Sequence, residues 1–204
     1  MNGVKNIIFD LGGIFIQLDF QKTNEAFQQL GTKQFNHYFT QTHSNNLFAA
    51  LETGILSPPE FYNEFRKETG ITATDEAIAA AWNAMLINFP KERIDWLLTI
   101  KEKYNIFLYS NTNQIHYDYF MQMFQRDTGY ENFNQYFIKT YYSHEIKMRK
   151  PDAEGFQLII KEQNLHPEAT LFVDDTLPNI HTAQLLGLQT IHLTAPLTVL
   201  NLPL

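Results

Sequence analysis

The chain reads as an α/β protein in which helices flank a parallel sheet and a helical block is inserted after the first strand. Three observations carry that reading. Short apolar runs at 4–9, 106–109 and 171–173 each stop at polar residues. Amphipathic segments separate the later runs, as alternating strands and helices require. Residues 20–88 carry helical spacing and no convincing strand. A chain of 204 residues can bury a sizeable core as one domain carrying an insertion.

Val4-Lys5-Asn6-Ile7-Ile8-Phe9 is β-branched and aromatic-ended, as a buried strand should be, and Asp10-Leu11-Gly12-Gly13 then turns the chain. Asp10 is thereby set at the strand's carboxyl edge, where open parallel sheets bind ligands. Taken alone, it is better read as a turn or cap residue. Beyond Ile14-Phe15-Ile16 a small helical bundle is expected. Ser57 ahead of Pro58-Pro59 starts one helix bearing Phe61 and Phe65, and Ala77, Ala81 and Met85, with Ile78 and Trp82, mark another. Pro90 ends the block, and Ile94, Leu97 and Leu98 give an amphipathic helix running to about Tyr104.

Ile106-Phe107-Leu108-Tyr109 is continuously apolar, as a strand covered on both faces would be, and ends in Ser110-Asn111-Thr112-Asn113. Residues 138–142 form a weaker strand signal. Pro151 is expected to open a helix with Ala153, Phe156 and Ile160 on one face. Leu171-Phe172-Val173 then runs into Asp174-Asp175, Pro178 sits in the first turn of a helix closed by Gly187, and Gln189 to Leu193 makes a last strand. The expected organisation is core at 1–16, helical cap at 17–89 and core again at 90–204. An insertion at that edge overhangs the ligand crevice as a lid.

Composition narrows the function classes. Hydrophobic residues at 44% and charged residues at 18% describe a globular chain. A formal net charge of -7 without a basic stripe disfavours nucleic acid and favours small solutes. No apolar stretch approaches the roughly 20 residues that cross a bilayer. The start lacks the basic-then-apolar layout of a secretion signal, so no membrane association and a cytoplasmic location are expected. Zero cysteines exclude disulfides, thiolate catalysis and cysteine metal sites. A homodimer is compatible with the sequence, and the apolar tail Pro196 to Leu204 has either the core or a partner subunit to pack on.

Asp10, Ser110-Asn111 and Asp174-Asp175 end three strands at one edge. Carboxylates gathered there would repel, a pair at about 4 Å by roughly 4 kcal/mol at an effective dielectric near 20. A divalent cation removes that cost. Oxygen ligands without Cys or His select a hard ion, and Mg²⁺ with retained waters and a phosphate oxygen suits them. Lys150, held extended by Pro151, is expected beside Asp10 and a bound phosphate, with the Ser110 hydroxyl donating to phosphate oxygens.

Asp10-Leu11-Gly12-Gly13, Ser110-Asn111-Thr112-Asn113, Arg149-Lys150-Pro151-Asp152 and Val173-Asp174-Asp175-Thr176 resemble, in that order, the four motifs of the haloacid dehalogenase-like (HAD) hydrolases of the helical-cap (C1) type. Asn113 followed by His116, together with Met148-Arg149-Lys150-Pro151, is similar to a bacterial branch that includes sugar-phosphate phosphatases. The resemblance implies a Rossmann-like three-layer core, a cap inserted after the first strand, and phosphoryl transfer through an aspartyl-phosphate. It makes Asp10 the nucleophile, lets Ser110, Asn111 and Lys150 hold the phosphoryl group, and gives Mg²⁺ the ligands Asp10, the Gly12 backbone carbonyl, Asp174 and Asp175.

Two departures stand out. Gly12 replaces the usual second aspartate, leaving the general acid/base without a holder, and Asp19 substitutes only if the chain curls back. Such assistance is worth about 10²- to 10⁴-fold, so slow or selective hydrolysis survives its loss. Lys147 stands where relatives commonly have glycine, which alters the turn that presents Lys150.

The leading function is a Mg²⁺-dependent phosphatase of a small phosphorylated metabolite such as a sugar phosphate. A 2-haloacid dehalogenase is the enzyme alternative, disfavoured because unneutralised Asp174 and Asp175 would repel an anionic substrate. A catalytically weak phosphometabolite-binding protein is the other, with Gly12 as its support. His116 and the aromatics Phe39, Phe48, Phe61, Tyr62 and Trp82 are expected to be packing residues. Glu52-Thr53-Gly54 resembles a cap turn of relatives and is equally well explained as a helix C-cap.

Overall fold

The structure, a computed structural model, describes residues 3–204. The chain enters through β1 (Asn6–Phe9), entirely buried, and crosses to β2 (Gln17–Leu18). The insertion follows as α1 (Phe20–Gln29), β3 (Phe39–Thr40), β4 (His43–Ser44), α2 (Asn46–Glu52), α3 (Pro58–Thr69), α4 (Asp75–Asn83) and β5 (Leu86–Asn88). The remainder alternates as α5 (Lys91–Ile100), β6 (Asn105–Ser110), α6 (Gln114–Thr128), β7 (Lys139–Tyr142), α7 (Ser143–Ile146), α8 (Ala153–Glu162), β8 (Thr170–Asp174), α9 (Leu177–Leu185) and β9 (Gln189–His192).

Five strands form one sheet in the order β7-β6-β1-β8-β9, parallel throughout. Ile7 pairs with Ile106 on one side and Leu171 on the other, which puts β1 at the centre. Side chains alternate across the sheet. Ile7 and Phe9 enter one core with Leu108, Val173 and residues of α5 and α6, while Ile8 enters a second with Tyr109, Phe172 and the Phe156 and Ile180 rings and branches of α8 and α9. Helices therefore cover both faces in three layers. That is why these strands read as unbroken apolar runs rather than alternating ones.

The first of those cores continues into the insertion. Phe27, Phe35, Phe48, Phe61, Phe65 and Trp82 are all buried there, brought together by the four helices and the single turn Phe35–His37. Ser57 caps α3 in a reciprocal bond with Glu60, with prolines in the first turn, as the sequence pattern requires.

Several expectations need correction. The block 20–88 does contain strands: β3 pairs with β4, and β5 pairs antiparallel with β2. Each is two or three residues long, too short to display a period of two. α5 stops at Ile100, four residues before Tyr104. Pro151 lies before α8, whose N-cap is Asp152, and the buried face of that helix is Gly155, Phe156 and Ile159, with Ala153 and Ile160 half-buried. The tail turns through Val199–Asn201, and Val199 is fully buried against this chain's own core. Among the described residues no helix is long and apolar enough to cross a membrane.

Candidate active site

Because β6, β1 and β8 are adjacent and parallel, Ser110, Asp10 and Asp174 stop at the same edge. The Asp10 N-H donates to the Val173 carbonyl at 2.9 Å, extending the ladder one residue and fixing where the carboxylate leaves the sheet. The loop beyond is tied to itself: Phe15 and Ile16 N-H groups donate to the Leu11 carbonyl at 2.9 and 3.1 Å. Arg93 secures it from α5, donating to the Gly13 and Ile14 carbonyls at 3.1 and 3.0 Å. Gly13 has φ +69°, and a Cβ there would overlap the Asp175 carboxylate, so only glycine fits.

Lys150 joins the strand ends. Its Nζ donates to Asp10 Oδ1 and to Asp174 Oδ2, each at 2.7 Å, with only 2% of the residue exposed. Asp174 also accepts from the Thr176 N-H at 2.7 Å and from Asn179 Nδ2 at 3.1 and 3.0 Å. Asn111 grips the Lys150 backbone at both ends, donating to its carbonyl at 2.7 Å and accepting from its N-H at 2.8 Å. The Asn111 carboxamide is thus committed to placing Lys150, and what it leaves for a ligand is main chain. Ser110 lies beside it on the cavity floor.

Electrostatics at this edge are out of balance. Burial pushes the Asp10 carboxyl up to about 7, opposed by Lys150 and reinforced by Asp174 and Asp175. Burial and Asp174 push Asp175 up to about 6. Burial works against the Lys150 ammonium, but Asp10 and Asp174 outweigh it and hold its pKa up. One ammonium thus faces three carboxylates. Oxygens of Asp10, Asp174 and Asp175 lie within 4.8 Å of one another, an all-oxygen set that fits a hard divalent cation.

Gly12 lines the same cavity. A Cβ there would stand 2.8 Å from Leu18 Cδ1, so Leu18 fills the space into which a side chain at position 12 would grow. Asp19 caps α1 by accepting the Gln21 N-H at 3.0 Å and is not among the residues lining the cavity.

The cavity holds about 200 Å³. Its roof comes from the insertion, where Phe39, Thr40, Gln41, Thr42 and Glu52 line it. Gln41 reaches down to donate to Asp175 Oδ2 at 3.0 Å. Glu52 is buried, pairs with Arg149 at 2.8 Å, and is pushed up to about 7 by burial despite that guanidinium. The turn after it docks on the core: Gly54 has φ +62°, a Cβ there would overlap the His144 carbonyl, and Lys147 Nζ donates to the Gly54 carbonyl at 2.9 Å. Lys147 itself is left-handed at φ 58°, so the lysine takes the backbone geometry that favours glycine. The Glu52–Gly54 turn is therefore both a helix end and a contact between cap and core.

Sequence reasoning missed Asn179, Arg93, Gln41 and the Glu52–Arg149 pair. Nothing in their spacing signals a site, since each acts through contacts that only the fold makes. The aromatics divide: Phe48, Phe61 and Trp82 are core, as expected, whereas Phe39 is half-buried on the cavity wall.

Residues 7–193 match the family described as haloacid dehalogenase-like hydrolase. D-ribitol-5-phosphate phosphatase of Bacteroides thetaiotaomicron is 32% identical over 187 residues, covering 92% of this chain and 90% of that protein. A HAD family enzyme of the same organism, crystallised with magnesium and inorganic phosphate, superposes with a TM-score of 0.86 at 35% identity, covering 95% of this chain and 96% of that one. A predicted HAD-like family hydrolase from Porphyromonas gingivalis gives 0.83 at 29% identity, with 93% and 90% covered. With the family match spanning most of the sequence, the chain belongs to the haloacid dehalogenase-like hydrolases.

Proposed function

We propose that this chain is a Mg²⁺-dependent phosphatase of a small phosphorylated polyol or sugar, acting through an aspartyl-phosphate on Asp10. The observation that carries this is Lys150 bridging Asp10 and Asp174 at 2.7 Å on the floor of a closed-over cavity. The D-ribitol-5-phosphate phosphatase relative and the magnesium and phosphate complex of a similar enzyme support it.

An Asp10 carboxylate oxygen attacks phosphorus, the ester P–O bond breaks, and the alcohol oxygen leaves with a proton. Water then attacks the acyl phosphate, loses a proton, and releases inorganic phosphate and free Asp10. Lys150 opposes the burial that raises the Asp10 carboxyl and so favours its anionic form, while its charge, the Ser110 hydroxyl and the Asn111 main chain answer the phosphoryl oxygens. Asp10, Asp174, Asp175 and the Gly12 carbonyl would hold Mg²⁺, which when bound neutralises phosphoryl and carboxylate charge. With Gly12 lacking a side chain, the two proton transfers fall to water or to an acidic group on the substrate or cap.

One observation favours a weaker catalyst, as a phosphometabolite-binding relative of these enzymes would be: Gly12 offers no acid, and a Cβ there would already meet Leu18 Cδ1 at 2.8 Å. Hydrolysis of p-nitrophenyl phosphate with Mg²⁺ separates the two. Asp10→Asn is expected to lower kcat/KM by at least about 10³-fold; equal rates in both proteins would sink the phosphatase reading.

A further inference from the structure

We infer that His116 selects the substrate: its Nε2 accepts a hydrogen bond from a hydroxyl on the carbon chain of a hydroxylated phosphate monoester. The inference rests on the phosphatase reading and adds to it the residue that recognises the hydroxylated chain.

His116 stands in the first turn of α6, where Asn113 Oδ1 accepts its N-H at 3.0 Å. It lines the cavity that also holds Asp10 and Lys150. Its ring lies against the Trp82 ring, with centroids 4.5 Å apart and planes 22° from parallel, which fixes the imidazole plane. Nδ1 is 2.8 Å from Asn83 Oδ1. An amide oxygen only accepts, so Nδ1 carries the proton and Nε2 is left as an acceptor. Burial drives the pKa of the ring down to about 3, so it stays neutral at working pH.

Nε2 is shut off from solvent and has no hydrogen-bond partner among the described residues. Buried acceptors are ordinarily paired, and the cavity that His116 lines is where a partner would come from. That group must be a donor. A phosphate oxygen is excluded, because it too accepts and belongs at the Asp10, Lys150 and Ser110 end. A hydroxyl meets the requirement, and a site built to pair with a hydroxyl turns away analogues that lack it. An alkyl phosphate of the same length would leave Nε2 unpaired.

The test measures kcat and KM on D-ribitol 5-phosphate, n-pentyl phosphate and p-nitrophenyl phosphate, with Mg²⁺, for the full chain and for His116→Phe. Phenylalanine keeps the ring against Trp82. The wild type is expected to favour D-ribitol 5-phosphate over n-pentyl phosphate by at least about 30-fold in kcat/KM. In the variant that preference should shrink at least tenfold, mostly through KM for the polyol ester. If His116→Phe does not fold, His116→Leu serves in its place: it removes both ring nitrogens, leaves nothing to pair with a hydroxyl, and should shrink the preference in the same direction. Equal losses on all three substrates would mean a structural role and overturn the inference, as would a wild type indifferent to hydroxyls. A wild type inactive on every ester overturns the phosphatase reading itself, a result distinct from either.

Discussion

The sheet edge and the cap face each other across one cavity but are built differently. At the edge, each side chain is placed by a hydrogen bond to backbone or to another charged group: Lys150 to two carboxylates, Asn111 to Lys150, Asn179 to Asp174. In the cap, position comes from packing. Phe27 and Phe35 stack with centroids 4.3 Å apart, and the Phe48 ring meets those of Phe35, Phe39, Phe61, Phe65 and Trp82. Of the polar roof residues, Thr40, Gln41 and Thr42 ride on a ribbon of two-residue strands, and Glu52 ends α2. Bonded networks tolerate almost no substitution, whereas a packed cluster accepts changes that keep its volume. One half is thus suited to fixed chemistry and the other to variable specificity.

Lys150→Met tests the bonded half hardest. It removes the ammonium that bridges Asp10 and Asp174 and leaves both buried, so activity on p-nitrophenyl phosphate should fall by about 10³-fold or more. Breaking a buried pair costs about 3–5 kcal/mol, which a urea melt would show. Activity within tenfold of wild type would refute the distinction.

Phe48→Ala tests the packed half. Opening a cavity at the hub of the aromatic cluster should cost about 3–5 kcal/mol in urea unfolding. Turnover by the fraction that remains folded should change in KM more than in kcat, because Asp10 and Lys150 keep their partners.

The smallest effect concerns pH and the boundary between the halves. His116 is held neutral by burial, with its pKa moved down from an ordinary 6.5 to about 3. Between those values the unfolded chain binds a proton that the folded one refuses. Its contribution is therefore complete above pH 6.5 and is lost as pH falls toward 3, by at most about 1.4 kcal/mol per pH unit. Lowering pH from 7 to 5 should reduce the urea midpoint, and less so in His116→Phe; identical pH slopes would remove His116 as the source.

How far each half could be read from sequence follows the same division. The strand runs ending at Asp10, Ser110 and Asp174 were legible because a parallel sheet buried on both faces demands continuous apolar stretches, and parallel strands end together. Lys150 was legible from its proline. The cap was legible only as helices and aromatics, since strands of two residues carry no period. Glu52 is a case in point: its helix end is visible in Gly54, while its partner Arg149 lies far along the chain and is reached only through the docking of cap on core.

Sequence by itself determined the layered α/β frame and the convergence of Asp10, Ser110, Lys150 and the Asp174-Asp175 pair, because local periodicity and strand direction dictate where those residues stop. Tertiary structure alone decided that Leu18 stands beside Gly12, that Asn111 serves Lys150, and that His116 lines the cavity with its Nε2 buried and unpaired among the described residues. Those outcomes depend on distances between segments far apart in the chain, which are set by packing and have no signature in spacing.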